Sequence, residues 1–120
     1  MAPGNQILLP IYHEGALLYL GDVHASQGDG EFTGTAAETK ATVRMRLNLL
    51  EDSQVRSMRI IKPDSVVTIR AARPMETAVQ AATIDLMEWL VSEFEYSQAD
   101  AYCFVSTCPD FRINVYQMCD

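Results

Sequence analysis

Residues 76–94 read ETAVQAATIDLMEWLVSEF, and at this stretch the chain changes from strand-like to helical sequence. The stretch contains neither glycine nor proline, and its apolar residues recur at the spacing of one helix face. The main stripe is formed by Val79, Ala82, Leu86, Leu90 and Phe94, and Ile84, Met87 and Val91 widen it. The spacing predicts an amphipathic helix over Glu76–Phe94.

The sequence after this helix predicts a second helix and a closing strand. Ser97-Gln98-Ala99-Asp100 resembles a capping box, in which the first side chain accepts a hydrogen bond from a backbone N–H near the helix start. Pro109 ends the second helix, because proline cannot continue the helical hydrogen-bond ladder. Phe111–Met118 then alternates between apolar and polar residues, which predicts a final strand.

The sequence before the helix carries strand signals. Branched apolar residues, or strict alternation of apolar and polar residues, favour strands over helices. The predicted strands are Gln6–Tyr12, Ala16–Leu20, Thr39–Leu50, Arg56–Ile61 and Val66–Ala71. Strands followed by helices indicate the α+β class, so we expect antiparallel or mixed strands, two C-terminal helices and a final strand. A chain of 120 residues fits one domain, 1–120.

The composition limits the classes of partner. The formal net charge is −7, and a protein that binds nucleic acid or an anionic membrane needs an excess of Lys and Arg. No apolar run reaches the roughly 20 residues that span a bilayer, and the N-terminus lacks the basic start of a signal peptide. The three cysteines, Cys103, Cys108 and Cys119, form no CxxC pair, which favours reduced thiols in a cytoplasmic protein.

The candidate segment for chemistry is Gly21–Glu38, which holds four of the chain's six glycines. It combines one imidazole with four carboxylates and an amide: His24, Asp22, Asp29, Glu31, Glu38 and Gln27. Histidine and carboxylates are ligands of zinc and of other divalent metals. A metal with an open coordination position activates water and polarises a carbonyl, as amide hydrolysis requires. The segment therefore predicts a divalent metal site, with zinc as the expected ion.

Roles within the segment follow from spacing. If Asp22-Val23-His24 continues the preceding strand, Asp22 and His24 project to one face and can bind a single ion. Glu31 returns after the glycine turn as a third ligand or as a general base. Gln27 and the backbone amides of Gly28–Gly30 are candidates to orient a substrate or to stabilise an oxyanion.

Two further acids have open interpretations. Asp29 is either a catalytic residue or a turn-forming residue, since Asp and Gly favour turns. Glu38 is either functional or buried against a positive partner, Arg44 or Arg46.

The string from Gly21 to Glu31, with Gly34-Thr35 and Glu38, resembles a recognisable segment of the acetamidase/formamidase family. The similarity extends to other parts of the chain: Gly15-Ala16-Leu17 upstream, Glu88-Trp89-Leu90 and Ser97–Ser106 in the helices, and Asp110, Arg112 and Ile113 after them. It covers nearly all of this chain but only the later part of such an enzyme, whose first half is mainly β. The resemblance implies a homo-oligomeric hydrolase that converts short amides such as formamide or acetamide to a carboxylate and ammonia.

A second interpretation is a truncated, non-catalytic remnant or a metal-binding module of the same scaffold. A cupin-like metal barrel is a weaker variant, because the second histidine of an H-x-H pair is absent and two helices follow the strands. Open strand edges pair with other chains, so we also expect self-association.

Overall fold

The computed structural model describes residues 1–51, 53 and 55–118, so Cys119 lies outside the described part. Within these residues the elements are β1 (Gln6–Leu8), β2 (His24–Ser26), β3 (Ala37–Glu38), β4 (Arg59–Ile61), β5 (Val66–Thr68), α1 (Met75–Phe94) and α2 (Gln98–Thr107). The chain divides into two compact units. The first comprises Met1–Tyr12 and Ser53–Phe111, and the second comprises His13–Asp52 and Arg112–Asp120. Each unit is described by itself.

The first unit contains an antiparallel sheet with the strand order β1-β4-β5. Ile60 is the central residue of the sheet, opposite Ile7 on one side and Val67 on the other, and it is almost fully buried. A tight turn joins β4 to β5, and the N–H of Lys62 donates to the carbonyl of Ser65 across it. Three of the predicted strands therefore exist, each shorter than its sequence pattern.

The two helices of the first unit agree with the sequence prediction. Helix α1 ends at Glu95, which adopts a left-handed conformation, and helix α2 begins after Ser97. The Ser97 Oγ accepts a hydrogen bond from the N–H of Asp100 over 3.1 Å, as the predicted cap requires. Leu90, Ala101 and Val105 form the buried contact between the helices.

A buried ion network joins the sheet to α1. Asp85 is 1% exposed, and its carboxylate accepts hydrogen bonds from Ser57 Oγ at 2.5 Å and from Arg59 Nη2 at 2.8 Å. Arg70 Nη2 lies 3.6 Å from the same carboxylate, and the Arg59 guanidinium stacks on the Trp89 ring. Burial raises the pKa of Asp85, but hydrogen bonds from Arg59 and Ser57 and the two positive charges outweigh it, so its pKa is below the ordinary value.

The second unit is built on the hairpin of β2 and β3, in which His24 pairs with Glu38 and Ser26 with Ala37. The C-terminal segment lies along the loop of this hairpin. The N–H of Gly30 donates to the carbonyl of Val115, and the N–H of Met118 donates to the carbonyl of Gly30. Gly30 has a φ of +86°, and a Cβ there would lie 3.1 Å from Met118 Cε.

Three predicted strands are not formed. Ala16 and Leu17 have positive φ angles, which interrupt Ala16–Leu20, and Phe111–Met118 pairs only through isolated backbone hydrogen bonds. Thr39–Leu50 contains no strand in this structure, and its apolar residues Val43, Met45, Leu47 and Leu49 are 47–71% exposed. Alternation indicates one buried face, but a strand also needs a neighbour, and the described residues supply none for this segment.

The observed order of antiparallel strands followed by two helices confirms the α+β class. The prediction of one domain over residues 1–120 stays a prediction. No helix in the described part of the chain has both the length and the apolar character needed to cross a membrane.

Candidate functional site

The β2–β3 hairpin positions the first two candidate ligands. His24 begins β2 and Glu38 ends β3, and the two are cross-strand partners. Side chains directly opposite each other in an antiparallel pair lie close together. The hairpin therefore brings the Glu38 carboxylate close to the His24 imidazole, although the two residues are fourteen positions apart in the sequence.

Asp22 reaches the same imidazole by a different route from the one predicted. It has a φ of +56° and lies outside β2, so it does not continue a strand with His24. Its carboxylate Oδ1 is nevertheless 3.3 Å from His24 Nε2. The local turn, and not strand alternation, brings the two side chains together.

Asp22, His24 and Glu38 together form a group of potential metal ligands. One ligand atom from each residue lies within 4.8 Å of the others. His24 is largely buried, with 12% of its side chain exposed, whereas Asp22 is 80% exposed. The arrangement is open on the side of the carboxylates and closed on the side of the imidazole, which suits an ion that must also meet a substrate.

Glu31 lies beside this group without belonging to it. Its Oε1 is 3.8 Å from His24 Nε2, and its side chain is only 8% exposed. Glu31 is the last residue of the Gly28–Glu31 turn, with a φ of +36°, and its N–H donates to the carbonyl of Gly28. The structure thus places Glu31 near the imidazole and Glu38 within the group of potential ligands, and the role of Glu31 as third ligand or general base stays a prediction.

Gln27 connects the imidazole, Glu31 and the C-terminal segment. Its Oε1 lies 3.1 Å from His24 Nδ1. Its amide nitrogen donates to Glu31 Oε2 at 3.3 Å and to the backbone carbonyl of Tyr116 at 2.8 Å. Both N–H bonds of the amide are therefore used within the protein.

The other nitrogen of His24 has no such partner. His24 Nε2 is buried, and no group in the described part of the chain meets it with hydrogen-bond geometry, although Asp22 Oδ1 is near. Buried polar atoms are normally paired, so an unpaired ring nitrogen facing carboxylates requires an explanation. A cation between Nε2 and these oxygens would satisfy all of them.

The remaining predicted residues are not part of this cluster. Asp29 is exposed in the turn and makes no hydrogen bond or ion pair with any described residue. The N–H of Gly30 donates to Val115, so it is not free to stabilise an oxyanion. A catalytic role for Asp29 stays a prediction.

The structure decides between the two interpretations of the Glu38 environment and adds one contact, the carbonyl of Tyr116, that the sequence analysis did not contain. Glu38 is exposed and faces His24, and is not buried against Arg44 or Arg46. Recognising Ala37–Glu38 as the return strand of a hairpin would have placed Glu38 opposite His24. No sequence signal could have identified the carbonyl of Tyr116, because every residue has a backbone carbonyl.

Comparisons with known proteins agree on one family. The profile described as "Acetamidase/Formamidase family" matches residues 1–117. A solved acetamidase from Yersinia enterocolitica is similar to this chain, with 38% sequence identity and a TM-score of 0.86. The similarity covers 90% of this chain and 33% of that chain, so this chain spans about a third of the acetamidase. Among curated proteins, none matches this chain.

Proposed function

The chain belongs to the acetamidase/formamidase family, and from that premise we propose that it hydrolyses short linear amides at the Asp22–His24–Glu38 cluster. The substrates we expect are formamide and acetamide, and the products are a carboxylate and ammonia. The observation that carries this proposal is the buried, unpaired Nε2 of His24, which faces carboxylates in the segment that carries the family resemblance.

A divalent metal, with zinc as our first choice, fits these residues. His24 would supply a nitrogen ligand, and Asp22 and Glu38 would supply oxygen ligands. Nitrogen and oxygen donors of this kind, with at least one open position, are typical of catalytic zinc. A bound zinc ion lowers the pKa of water and polarises a carbonyl.

Glu31 is suited to the role of general base. The amide nitrogen of Gln27 donates to Glu31 Oε2, while Glu31 Oε1 faces His24. In hydrolysis, a water oxygen attacks the amide carbon and Glu31 accepts a proton from that water. The proton then passes to the amide nitrogen, the carbon–nitrogen bond breaks, and ammonia leaves. Glu31 as a third metal ligand remains the alternative role.

We also propose that the protein is a homo-oligomer. Exposed apolar residues within the Thr39–Leu50 segment support this proposal, because covering apolar side chains with another copy of the chain removes them from water. A cytoplasmic location and the absence of nucleic-acid and membrane partners remain predictions from the charge and the cysteine pattern.

The test of the function is ammonia release from formamide and acetamide by the purified chain, measured after chelation and again after addition of Zn²⁺. We expect ammonia release to depend on the metal. We also expect His24→Ala and Asp22→Asn each to abolish it. His13→Ala is the matched control, because His13 is the only other histidine and is exposed. Full activity in both His24→Ala and Asp22→Asn would contradict the assignment of these residues to the active site.

The second candidate is a metal-binding module without catalysis, which is favoured by the fact that this chain spans about a third of the related acetamidase. It predicts zinc binding that depends on Asp22 and His24, with no ammonia release from a chain shown by circular dichroism to be folded. That result would refute hydrolysis by this chain and leave the metal site in place.

A further inference from the structure

We propose that Gln27 is a positioning residue that fixes His24 in the tautomer with its proton on Nδ1, so that Nε2 presents a lone pair to a cation. This inference rests on the proposed function only for the identity of that cation. The tautomer itself is a property of the metal-free protein and follows from the hydrogen bonds of one side chain.

The first step is the orientation of the Gln27 amide. Its nitrogen lies 2.8 Å from the carbonyl oxygen of Tyr116 and 3.3 Å from Glu31 Oε2. A backbone carbonyl and an ionised carboxylate only accept hydrogen bonds. The reversed amide would place its oxygen against both of these oxygens, so the two acceptors together fix the amide in one orientation.

The second step is the tautomer of His24. With the amide so oriented, its Oε1 faces His24 Nδ1 at 3.1 Å. An amide oxygen cannot donate, so this hydrogen bond forms only if Nδ1 carries the proton. In the neutral ring the other nitrogen is then unprotonated, and its lone pair points away from Gln27.

The third step is the environment of the lone pair on His24 Nε2. Around Nε2 lie Asp22 Oδ1 at 3.3 Å and Glu31 Oε1 at 3.8 Å, and Glu38 completes the group of potential ligands. These groups are acceptors when ionised, so none of them satisfies a lone pair. A cation does, and histidines that bind metals commonly donate their other N–H to a neighbouring acceptor in this way.

The anchor for this arrangement lies outside the hairpin. Tyr116 belongs to the C-terminal segment, which is bound to the same turn through the hydrogen bonds of Gly30 with Val115 and Met118. The orientation of Gln27, and through it the tautomer of His24, therefore depends on the C-terminal segment remaining bound to the loop.

Long-range ¹⁵N–¹H correlation spectra of the metal-free full chain, recorded at a pH where the rings are neutral, measure the tautomer directly. The chain has only two histidines, and His13→Gln assigns the signals. We expect His24 to be protonated on Nδ1, with exposed His13 serving as an internal reference for an unconstrained ring. Protonation of His24 on Nε2 in the wild-type chain would overturn the proposal without any variant.

Gln27→Met is the test of cause, because it keeps the length of the side chain and removes both its donors and its acceptor. We expect the Nδ1–H form of His24 to lose its dominance in this variant and to keep it in Gln117→Met, which changes an exposed glutamine of the C-terminal segment. Gln27→Asn serves if Gln27→Met does not fold. An unchanged tautomer in a folded Gln27 variant refutes the positioning role.

Zinc titration separates this inference from the proposed function. If Gln27 positions a metal ligand, Gln27→Met lowers zinc affinity about 10- to 100-fold, the usual effect of removing such a partner. A wild-type chain that shows the Nδ1–H form but binds no zinc refutes the metal site and leaves the positioning role standing. Undiminished zinc affinity in Gln27→Met refutes its role toward the metal.

Discussion

Arg59 Nη2 donates to Asp85 Oδ1 over 2.8 Å, and this bond joins the central strand β4 to helix α1 in the interior of the first unit. Both side chains are almost fully buried, and Ser57 and Arg70 complete the surroundings of the carboxylate. A buried charge is tolerated only when it is paired and hydrogen-bonded. The network therefore makes the packing of α1 on the sheet depend on the ionisation of one residue.

We predict that Asp85→Asn lowers the free energy of unfolding at neutral pH by about 3 kcal/mol, because it leaves the buried guanidinium of Arg59 without its counter-charge. Urea unfolding across a pH series measures this. The pKa of Asp85 is lowered in the folded state, so its stabilisation is present above the ordinary carboxylate pKa and is lost as the pH falls through the folded value. The gap between wild type and variant should therefore narrow in acid.

The matched control is Glu88→Gln, which neutralises an exposed acid three residues further along the same helix. It should change the stability by less than about 0.5 kcal/mol, as surface substitutions usually do. Equal stabilities of wild type and Asp85→Asn at neutral pH, or a gap that stays constant into acid, would contradict the role of the network.

The helices were predictable because their signals are local. The apolar spacing of residues 76–94 and the Ser97 cap each involve residues within a few positions, and both elements formed where expected. The buried Asp85 also had a local signal that the sequence analysis did not use. It lies one helical turn before Trp89, and a charged residue next to the buried face of a helix predicts a buried partner.

The predictions that failed concern features that depend on residues distant in the sequence. Thr39–Leu50 has clear alternation, but a strand forms only beside another strand, and the periodicity of one segment carries no information about that neighbour. In the site, Asp22 and His24 lie close together, but a local turn and not the expected strand brings them there. The register of the hairpin places Glu38 opposite His24 and so in the group of potential ligands, and the sequence alone did not reveal that register.

We predict that Glu38→Gln weakens zinc binding by more than about tenfold, because it removes one of three grouped ligand atoms. Glu31→Gln should have a smaller effect, since Glu31 lies outside that group. Competition with a chromophoric zinc chelator measures both affinities, and Glu14→Gln, an exposed acid of the same unit, is the control. A larger loss in Glu31→Gln than in Glu38→Gln would instead support Glu31 as the third ligand.

We predict that Gly30→Ala destabilises the protein by roughly 1–2 kcal/mol, because a residue with a Cβ is strained at a left-handed φ. The added Cβ also meets the end of Met118, which must move. Gly28→Ala is the comparison, since Gly28 has no positive φ and nothing lies within 4 Å of an added Cβ. Equal unfolding midpoints in the two variants would show that the Gly30 conformation is not required.

The last prediction concerns the exposed apolar residues Val43, Met45, Leu47 and Leu49. Leu47 and Leu49 are 71% and 67% exposed, and such side chains favour contact with another copy of the chain. Replacing both with lysine should raise the dissociation constant for self-association by at least about tenfold, because a charge is costly to bury in an apolar contact. Sedimentation velocity over a concentration series measures the change.

Asn48→Lys supplies the control for added charge, since it places a lysine at the polar position between the two leucines. If the apolar positions mediate self-association, this variant keeps most of it while Leu47→Lys/Leu49→Lys loses it. Equal loss in both would indicate that net charge, and not the apolar contact, governs assembly. A wild-type chain that stays monomeric at all concentrations would refute the homo-oligomer itself, and the exposed residues would then need another partner.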